Sequence, residues 1–210
     1  MRIVSSVQNS FQEYEDHISL VLFCFGCNLD CCGCYNHDTI INPDNIQGTV
    51  KDIIDERLTP LDDAIVFLGG EPTVWAEDLP GDASYAKSKH KLLKLFTNGT
   101  HPEVVKELNR LRLVDSYSID LKTVTDAPRF LRPATPLSTD EYLMLVGESV
   151  HSVLASGAQL EIRTTAWKEL DDIEKTRAYV AEHFPGVRHL VQPDFRDNIS
   201  RLKEGISGRS

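Results

Sequence analysis

The sequence predicts a single α/β domain, an incomplete (β/α)6 partial TIM barrel with its site at the C-terminal ends of the strands. Three observations lead there. Apolar, β-branched runs alternate with helix-period segments, the pattern of parallel strands joined by crossover helices. Six units of about 30–35 residues fill the 210 residues, whereas a full eight-unit barrel takes about 250. The first five strand candidates each end in a distinctive polar or cysteine-bearing motif, on the face where such folds build their sites.

Taken in order, Ile18–Phe23 is the first strand, and a cysteine-bearing loop, Phe25–Asn36, leaves its end. Thr49–Arg57 is helical, and Ala64–Leu68 is the second strand, ending in Gly69-Gly-Glu-Pro72. No helix is expected between Thr73 and Lys91, because Pro80-Gly81 interrupts the period. Leu92–Phe96 forms the third strand and ends in Thr97-Asn-Gly-Thr100. Pro102 then suits a helix start, giving Pro102–Leu111. Val114–Ile119 is the fourth strand, ending in Asp120-Leu-Lys122. The long helix Thr139–Ala155 stops at Ser156-Gly157, where glycine accepts the left-handed conformation. Leu160–Thr165 is the fifth strand and carries Glu161-Ile-Arg-Thr-Thr165; Glu169–His183 and Val187–Val191 complete the sixth unit. The domain covers residues 1–198, and the tail Ile199–Ser210 is expected to be mobile.

With 41% hydrophobic residues the chain can bury about 70% of its unfolded surface in one core. No apolar stretch approaches 18 residues, and the start Met1-Arg-Ile-Val-Ser-Ser lacks a signal-peptide core, so a cytoplasmic location is expected. There thiols stay reduced. The net charge of −10 argues against nucleic-acid or anionic-membrane partners, which want a basic face.

Cys27, Cys31 and Cys34 write C-x3-C-x2-C. That spacing can give an iron–sulfur cluster three thiolates and leave one metal position open, where an all-cysteine cluster has four. An open position separates a reactive metal site from a structural one. Cys24 and Cys32 also permit two C-x2-C knuckles, Cys24/Cys27 and Cys31/Cys34, but zinc ribbons separate such pairs by about 15–20 residues. Cys24 reads as a buried small side chain and Cys32 as a loop thiol. The seven histidines show no paired spacing, and His37 reads as a loop residue.

The other strand ends add polar groups to the same mouth. Gly69 and Gly70 remove two Cβ atoms so that a ligand can approach the main chain. Glu71 is an acceptor suited to an ammonium group. Asp120 and Lys122, two apart, lie on one side of an extended chain. Arg163 stands at the mouth, either toward a ligand or in a surface ion pair.

With these motifs the chain resembles the radical S-adenosylmethionine superfamily. Cys27, Cys31 and Cys34 resemble its cluster loop, and Gly69-Gly-Glu-Pro72 resembles its motif for the methionine amino group. Gly26-Cys-Asn28, Cys34-Tyr-Asn36, Thr97-Asn-Gly99 and Asp120-Leu-Lys122 are similar to glycyl-radical enzyme activases. Ser6-Val-Gln-Asn9 and Glu161-Ile-Arg-Thr-Thr165 are most similar to the activating proteins of anaerobic ribonucleoside-triphosphate reductase.

The resemblance implies a [4Fe–4S] cluster on Cys27, Cys31 and Cys34, with S-adenosyl-L-methionine chelating the open iron. It implies an oxidoreductase that cleaves S-adenosylmethionine reductively and makes a glycyl radical on a partner. Gly69, Gly70 and Glu71 would receive the ammonium group, and Lys122 the methionine carboxylate. Asp120 and Thr97 match activase positions that bind a ribose or a monovalent cation near that carboxylate, Asn98 would also border the cofactor, and Arg163 would face cofactor or substrate. The partner would be the large subunit of anaerobic ribonucleotide reductase, with flavodoxin or ferredoxin as electron donor.

Two departures stand out. Family loops carry an aromatic residue just before the third cysteine, where this chain has Gly33, and Tyr35 stands where activases often have histidine. Other readings are an activase of pyruvate formate-lyase or another glycyl-radical enzyme, a 7-carboxy-7-deazaguanine synthase-like enzyme, and a zinc- or cluster-bearing binding module.

Overall fold

The computed structural model of the chain describes residues 1–167 and 173–194. Its centre is an eight-stranded sheet ordered β3-β1-β2-β4-β5-β6-β7-β8. β2 (Ser19–Cys24), β4 (Ala64–Gly69), β5 (Leu92–Thr97), β6 (Ser116–Asp120), β7 (Gln159–Ala166) and β8 (Arg188–Pro193) are neighbours in chain order. Each pairs in parallel with the next. These are the six predicted strands, with ends moved by one or two residues.

Two strands were not legible in the sequence. β1 (Arg2–Ser10) runs antiparallel to β2 and carries the two-residue β3 (Gly48–Thr49) on its far side. β1 buries only Ile3 and Val4 before turning polar, too short a run to stand out.

The crossovers are helical. α2 (Val50–Arg57) opens with a capping box in which Thr49 and Asp52 satisfy each other's backbone donors. α4 (Pro102–Arg110) starts at its proline, and α6 (Thr139–Ser156) opens on a Ser138–Glu141 capping box and ends at Gly157, whose φ is 78°. α7 (Ile173–His183) matches the C-terminal part of the predicted Glu169–His183 helix; residues 169–172 and the predicted tail lie outside the described residues.

The expected gap between Thr73 and Lys91 is instead a 3-10 turn, Pro72–Trp75, and a helix, α3 (Leu79–Ser88). Pro80 falls in the first turn, where its missing N–H would have had no helical partner. A Cβ at Gly81 would meet nothing within 4 Å, so that glycine is not demanded by packing. Leu79, Ala83 and Ala86 bury the apolar stripe that Pro80-Gly81 concealed. Two short helices, α1 (His37–Ile41) and α5 (Ala127–Leu131), also went unpredicted; His37 therefore opens a helix.

Side chains alternate across the parallel strands. Leu20, Leu22, Ile65, Phe67, Leu93, Leu95, Tyr117, Ile119 and Ile162 face a core shared with α2, α3, α4, α6 and α7. The opposite face holds a smaller cluster of Tyr14, Val21, Ala64, Val66 and Phe96, to which no helix among the described residues contributes. On β5, β6 and β7 that second face turns polar, with Lys94, Ser118, Asp120, Glu161 and Arg163.

Candidate active site

A cavity of about 290 Å³ opens at the C-terminal ends of the parallel strands. Its wall includes Cys27, Cys31 and Cys34, whereas Cys24 and Cys32 are not among its lining residues. Gly69, Gly70, Glu71, Thr97, Asn98, Asp120, Lys122 and Arg163 line it as well. The sequence therefore identified eleven residues that share one cavity.

The cysteine loop is held by backbone hydrogen bonds from several directions. Phe25 N donates to Arg2 O (2.9 Å), Gly26 N to Ile40 O (2.7 Å) and Glu71 N to Gly26 O (2.8 Å). Asp30 N and Cys32 N donate to Leu131 O and Phe130 O, each at 3.0 Å, and Ala134 N donates to Asn28 O at 3.0 Å. The segment following β6 thus clamps the loop, a role with no local sequence signal. The indole of Trp75 adds a 2.9 Å bond to Phe25 O.

The glycine pair serves this loop. A Cβ at Gly70 would sit 1.8 Å from Gly26 O, and one at Gly69, whose φ is +107°, would sit 2.7 Å from Cys24 N. The close approach expected of a ligand is made here by the chain's own backbone. Any side chain at Gly70 would push the cysteine loop away.

Glu71 is buried, and its carboxylate already collects four donors. Oε1 accepts from Thr73 N (3.0 Å), Thr73 Oγ1 (2.6 Å) and Thr97 Oγ1 (2.7 Å), and Oε2 accepts from Asn98 N (2.6 Å). Capacity for a ligand's ammonium group is left chiefly at Oε2. Asn98 is spent similarly: Nδ2 donates to Asn28 Oδ1 (2.8 Å), and Oδ1 accepts from Thr100 N (3.0 Å) and Oγ1 (2.6 Å). Asn28 Nδ2 returns a 2.8 Å bond to Thr100 Oγ1, tying the cysteine loop to the end of β5.

The opposite wall is charged. Lys122 Nζ lies 2.8 Å from Asp120 Oδ2, and buried Tyr142 of α6 holds the turn by accepting from Lys122 N (3.0 Å). Burial opposes the charge on Lys122, but Asp120 and Cys31 outweigh it and hold its pKa above the ordinary lysine range. Arg163 donates to Gln192 of β8, its guanidinium lies 4.8 Å from the Phe96 ring centroid, and its buried Nε has no hydrogen-bond partner among the described residues.

Burial pushes the Cys27 thiol up to about 12, helped by the charge of Glu71 and opposed by a hydrogen bond from Leu29 N. Burial raises Cys31 to about 11, with Lys122 pulling the other way. The free thiols of Cys27 and Cys31 therefore stay protonated at neutral pH, and iron must displace those protons on binding. Among the described residues no three His, Cys, Asp or Glu side chains gather closely enough to hold one ion. Cys27, Cys31 and Cys34 do line the same cavity, and a cluster assigns one thiolate to each of several irons. The donor set fits such a group.

Residues 21–149 match the radical SAM superfamily. The chain belongs to that superfamily. Membership implies a [4Fe–4S] cluster and S-adenosylmethionine. This radical SAM chain is 40% identical over 111 residues to a Methanocaldococcus jannaschii protein provisionally named a glycyl-radical enzyme activating enzyme, covering 52% of this chain and 45% of that protein. It is 37% identical over 91 residues to the Fe-coproporphyrin III synthase of Methanosarcina barkeri, covering 41% of this chain and 23% of that one. The matches thus span less than half the length of either curated relative. A radical SAM methyltransferase from Sphaerobacter thermophilus shares the fold with a TM-score of 0.60 at 12% identity, covering 94% of this chain and 65% of that chain. No helix among the described residues is long and apolar enough to cross a membrane.

Proposed function

We propose that this chain cleaves S-adenosylmethionine reductively and makes a glycyl radical on a partner, the large subunit of an anaerobic ribonucleoside-triphosphate reductase. The observation that carries the reading is the division among the five cysteines: Cys27, Cys31 and Cys34 line the cavity with the Gly69-Gly70-Glu71 turn and Lys122, and Cys24 and Cys32 do not. When bound, the cluster supplies the electron that splits the carbon–sulfur bond of S-adenosylmethionine into methionine and a 5′-deoxyadenosyl radical.

The protein's part is to hold and orient. Cys27, Cys31 and Cys34 would ligate three irons and leave the fourth to the amino acid end of S-adenosylmethionine. The Gly69-Gly70 main chain and Glu71 Oε2 would receive the ammonium group. Lys122 would pair with the carboxylate in a charge-assisted contact. Thr97, Asn98 and Asp120 would border the ribose or a monovalent cation, and Arg163 would turn its unpaired Nε to cofactor or substrate. Flavodoxin or ferredoxin would deliver the electron, in the cytoplasm and without nucleic acid or membrane.

Sequential strand order with helices on one face supports reading residues 1–198 as one incomplete (β/α)6 barrel. An unclosed barrel has a lateral opening through which a partner's glycine loop could enter, and such a loop must leave its own core to do so. The provisional name of the Methanocaldococcus relative supports the activase class. The Methanosarcina relative favours a second reading, radical chemistry on a small molecule, of which a 7-carboxy-7-deazaguanine synthase-like reaction is one form.

The test is electron paramagnetic resonance on reduced, reconstituted protein with S-adenosylmethionine and the cognate reductase. A glycyl doublet split by the remaining α-hydrogen is expected. Consumption of a pterin-like molecule without that signal would select the small-molecule reading, and a doublet on pyruvate formate-lyase alone would keep the chemistry and replace the partner.

A further inference from the structure

Gly33 lies between Cys32 and Cys34, and a Cβ there would come within 2.4 Å of Cδ1 and Nε1 of Trp167 and 2.6 Å of its Cε2. The indole therefore occupies the space that a side chain at position 33 would need. Trp167 arrives from a distant part of the chain, just past β7, with its N–H bonded to Thr165 O at 2.9 Å. It is only 4% exposed, yet it lines the cavity beside Cys31, Gly33 and Cys34, with Lys122 Nζ 6.0 Å from its ring centroid.

The other aromatic side chains lining the cavity are committed elsewhere. Phe96 has Arg163 at 4.8 Å and Lys94 at 4.9 Å from its ring centroid. Tyr35 donates its hydroxyl to Asp194 at 3.1 Å, and Phe23 packs with the Tyr14–Val21–Val66 cluster. Trp167 alone of the four rests on the backbone between two of the predicted cluster ligands.

We propose that Trp167 is the adenine platform of this protein, an indole delivered from the end of β7 into the space left by Gly33. The proposal rests on the reading that S-adenosylmethionine occupies the cavity. A purine beside a sulfur-rich loop needs a flat apolar face, and indole is the largest available side chain with one. Gly33 and Trp167 then form one unit: glycine makes the room, and tryptophan uses it. Their fitness should depend on each other.

The experiment measures S-adenosylmethionine affinity and iron content on anaerobically reconstituted protein. Trp167→Ala should keep about four irons and bind about tenfold more weakly, the scale of one lost base–aromatic stack. Gly33→Tyr alone should also bind weakly, because the phenol collides with the indole. The double variant Gly33→Tyr/Trp167→Ala should recover affinity to within about threefold of the original, a reversal that independent losses cannot produce. Trp167→Ala with full iron and affinity within about twofold of the parent overturns the proposal, as does a double variant no tighter than either single.

If Trp167→Ala loses its iron, Trp75→Phe, used once its iron content and S-adenosylmethionine affinity are measured to match the parent's, leaves Trp167 as the single indole reporter, since the chain has two tryptophans. Quenching of its emission by 5′-deoxyadenosine but not by methionine supports the assignment, and no response to either overturns it. A parent protein that holds iron but binds no S-adenosylmethionine overturns the underlying reading as well, which separates the two failures.

Discussion

The helix-free face of the sheet has two halves that share one backbone geometry and differ in chemistry. On β2 and β4 it presents Val21, Phe23, Val66 and Leu68, packed with Tyr14. On β5 to β7 it presents Lys94, Ser118, Asp120, Glu161 and Arg163. There Glu161 Oε1 accepts from Lys94 Nζ and Ser118 Oγ, both at 2.9 Å. The strand ends continue the contrast. Beyond β2, β4 and β5, the side chains of Asn28, Glu71, Thr97 and Asn98 are spent on one another. Past the end of β6 Lys122 leans on one carboxylate, and within β7 Arg163 has no described partner for its Nε. A saturated network fixes position but has little left with which to grip a ligand. The first half thus works as a frame for the cysteine loop, and the second supplies groups with capacity to choose what enters.

The most severe way to break this comparison is to remove what the frame carries. Cys27→Ala, Cys31→Ala or Cys34→Ala should abolish S-adenosylmethionine cleavage and lose iron, because one lost thiolate leaves an iron unheld. Cys24→Ala and Cys32→Ala should keep both. Iron analysis beside a cleavage assay reads the result, and iron loss in Cys24→Ala equal to that in Cys31→Ala would undo the ligand assignment.

Next in size is the frame itself. Glu71→Ala leaves the buried backbone donors of Thr73 and Asn98 without an acceptor, at about 1–3 kcal/mol each. A melting-temperature fall of about 2–4 °C per kcal/mol is expected for a chain of this size. Glu71→Gln keeps an acceptor oxygen and should lose less stability. If Glu71→Ala melts with the parent protein and only S-adenosylmethionine binding weakens, Glu71 is a ligand group and not a frame.

The charged half should respond in the opposite sense, with affinity lost and stability largely kept. Lys122→Met removes a charge-assisted contact worth about 1.5–3 kcal/mol, so S-adenosylmethionine should bind about 10–100-fold more weakly with iron intact. Titration calorimetry measures it. Unchanged affinity would reduce this wall to scaffold.

The same contrast explains how much could be read before the fold was known. Six parallel strands were legible because Ala64-Ile-Val-Phe-Leu68 and its counterparts are apolar on the helix-covered face whatever the other face carries. Gly69, Gly70, Glu71, Thr97, Asn98, Asp120 and Lys122 were legible because they sit within two residues of strand ends, where chain position translates directly into place. What stayed hidden depends on partners distant in sequence. Nothing near Gly33 announces Trp167, and nothing in Phe130–Ala134 announces that its carbonyls and amides grip the cysteine loop. Pro80-Gly81 concealed α3 because a proline that breaks a helix interior is harmless in a first turn. The approach of the Gly26 and Cys24 backbone to Gly70 and Gly69 stayed hidden for a related reason: a sequence shows that a Cβ is missing, not whose atoms fill the space.

The mildest test lies outside both halves, on the helix-covered face of β8, where His189 pairs in register with Ile162. His189 Nε2 is 2.9 Å from Thr164 Oγ1, and that hydroxyl already donates to Leu121 O at 2.7 Å. Nε2 must therefore carry the ring proton and donate, which leaves Nδ1 as the site of any added proton. Burial, and then the charge of Arg177 on α7, hold the pKa of His189 below its ordinary value of 6.5. The unfolded chain binds this proton more readily than the folded one, so the linkage has a definite sign. Stability from this group is complete above about pH 6.5 and is lost as the pH falls from there through the lower folded value. His189→Gln can still donate to Thr164 but does not titrate. Its denaturant midpoint should therefore fall less than the parent's between about pH 7.5 and 5.5, with apo-protein compared under reducing conditions. Equal falls in the two proteins would mean that the β7–β8 edge takes up a proton as easily as the open chain does.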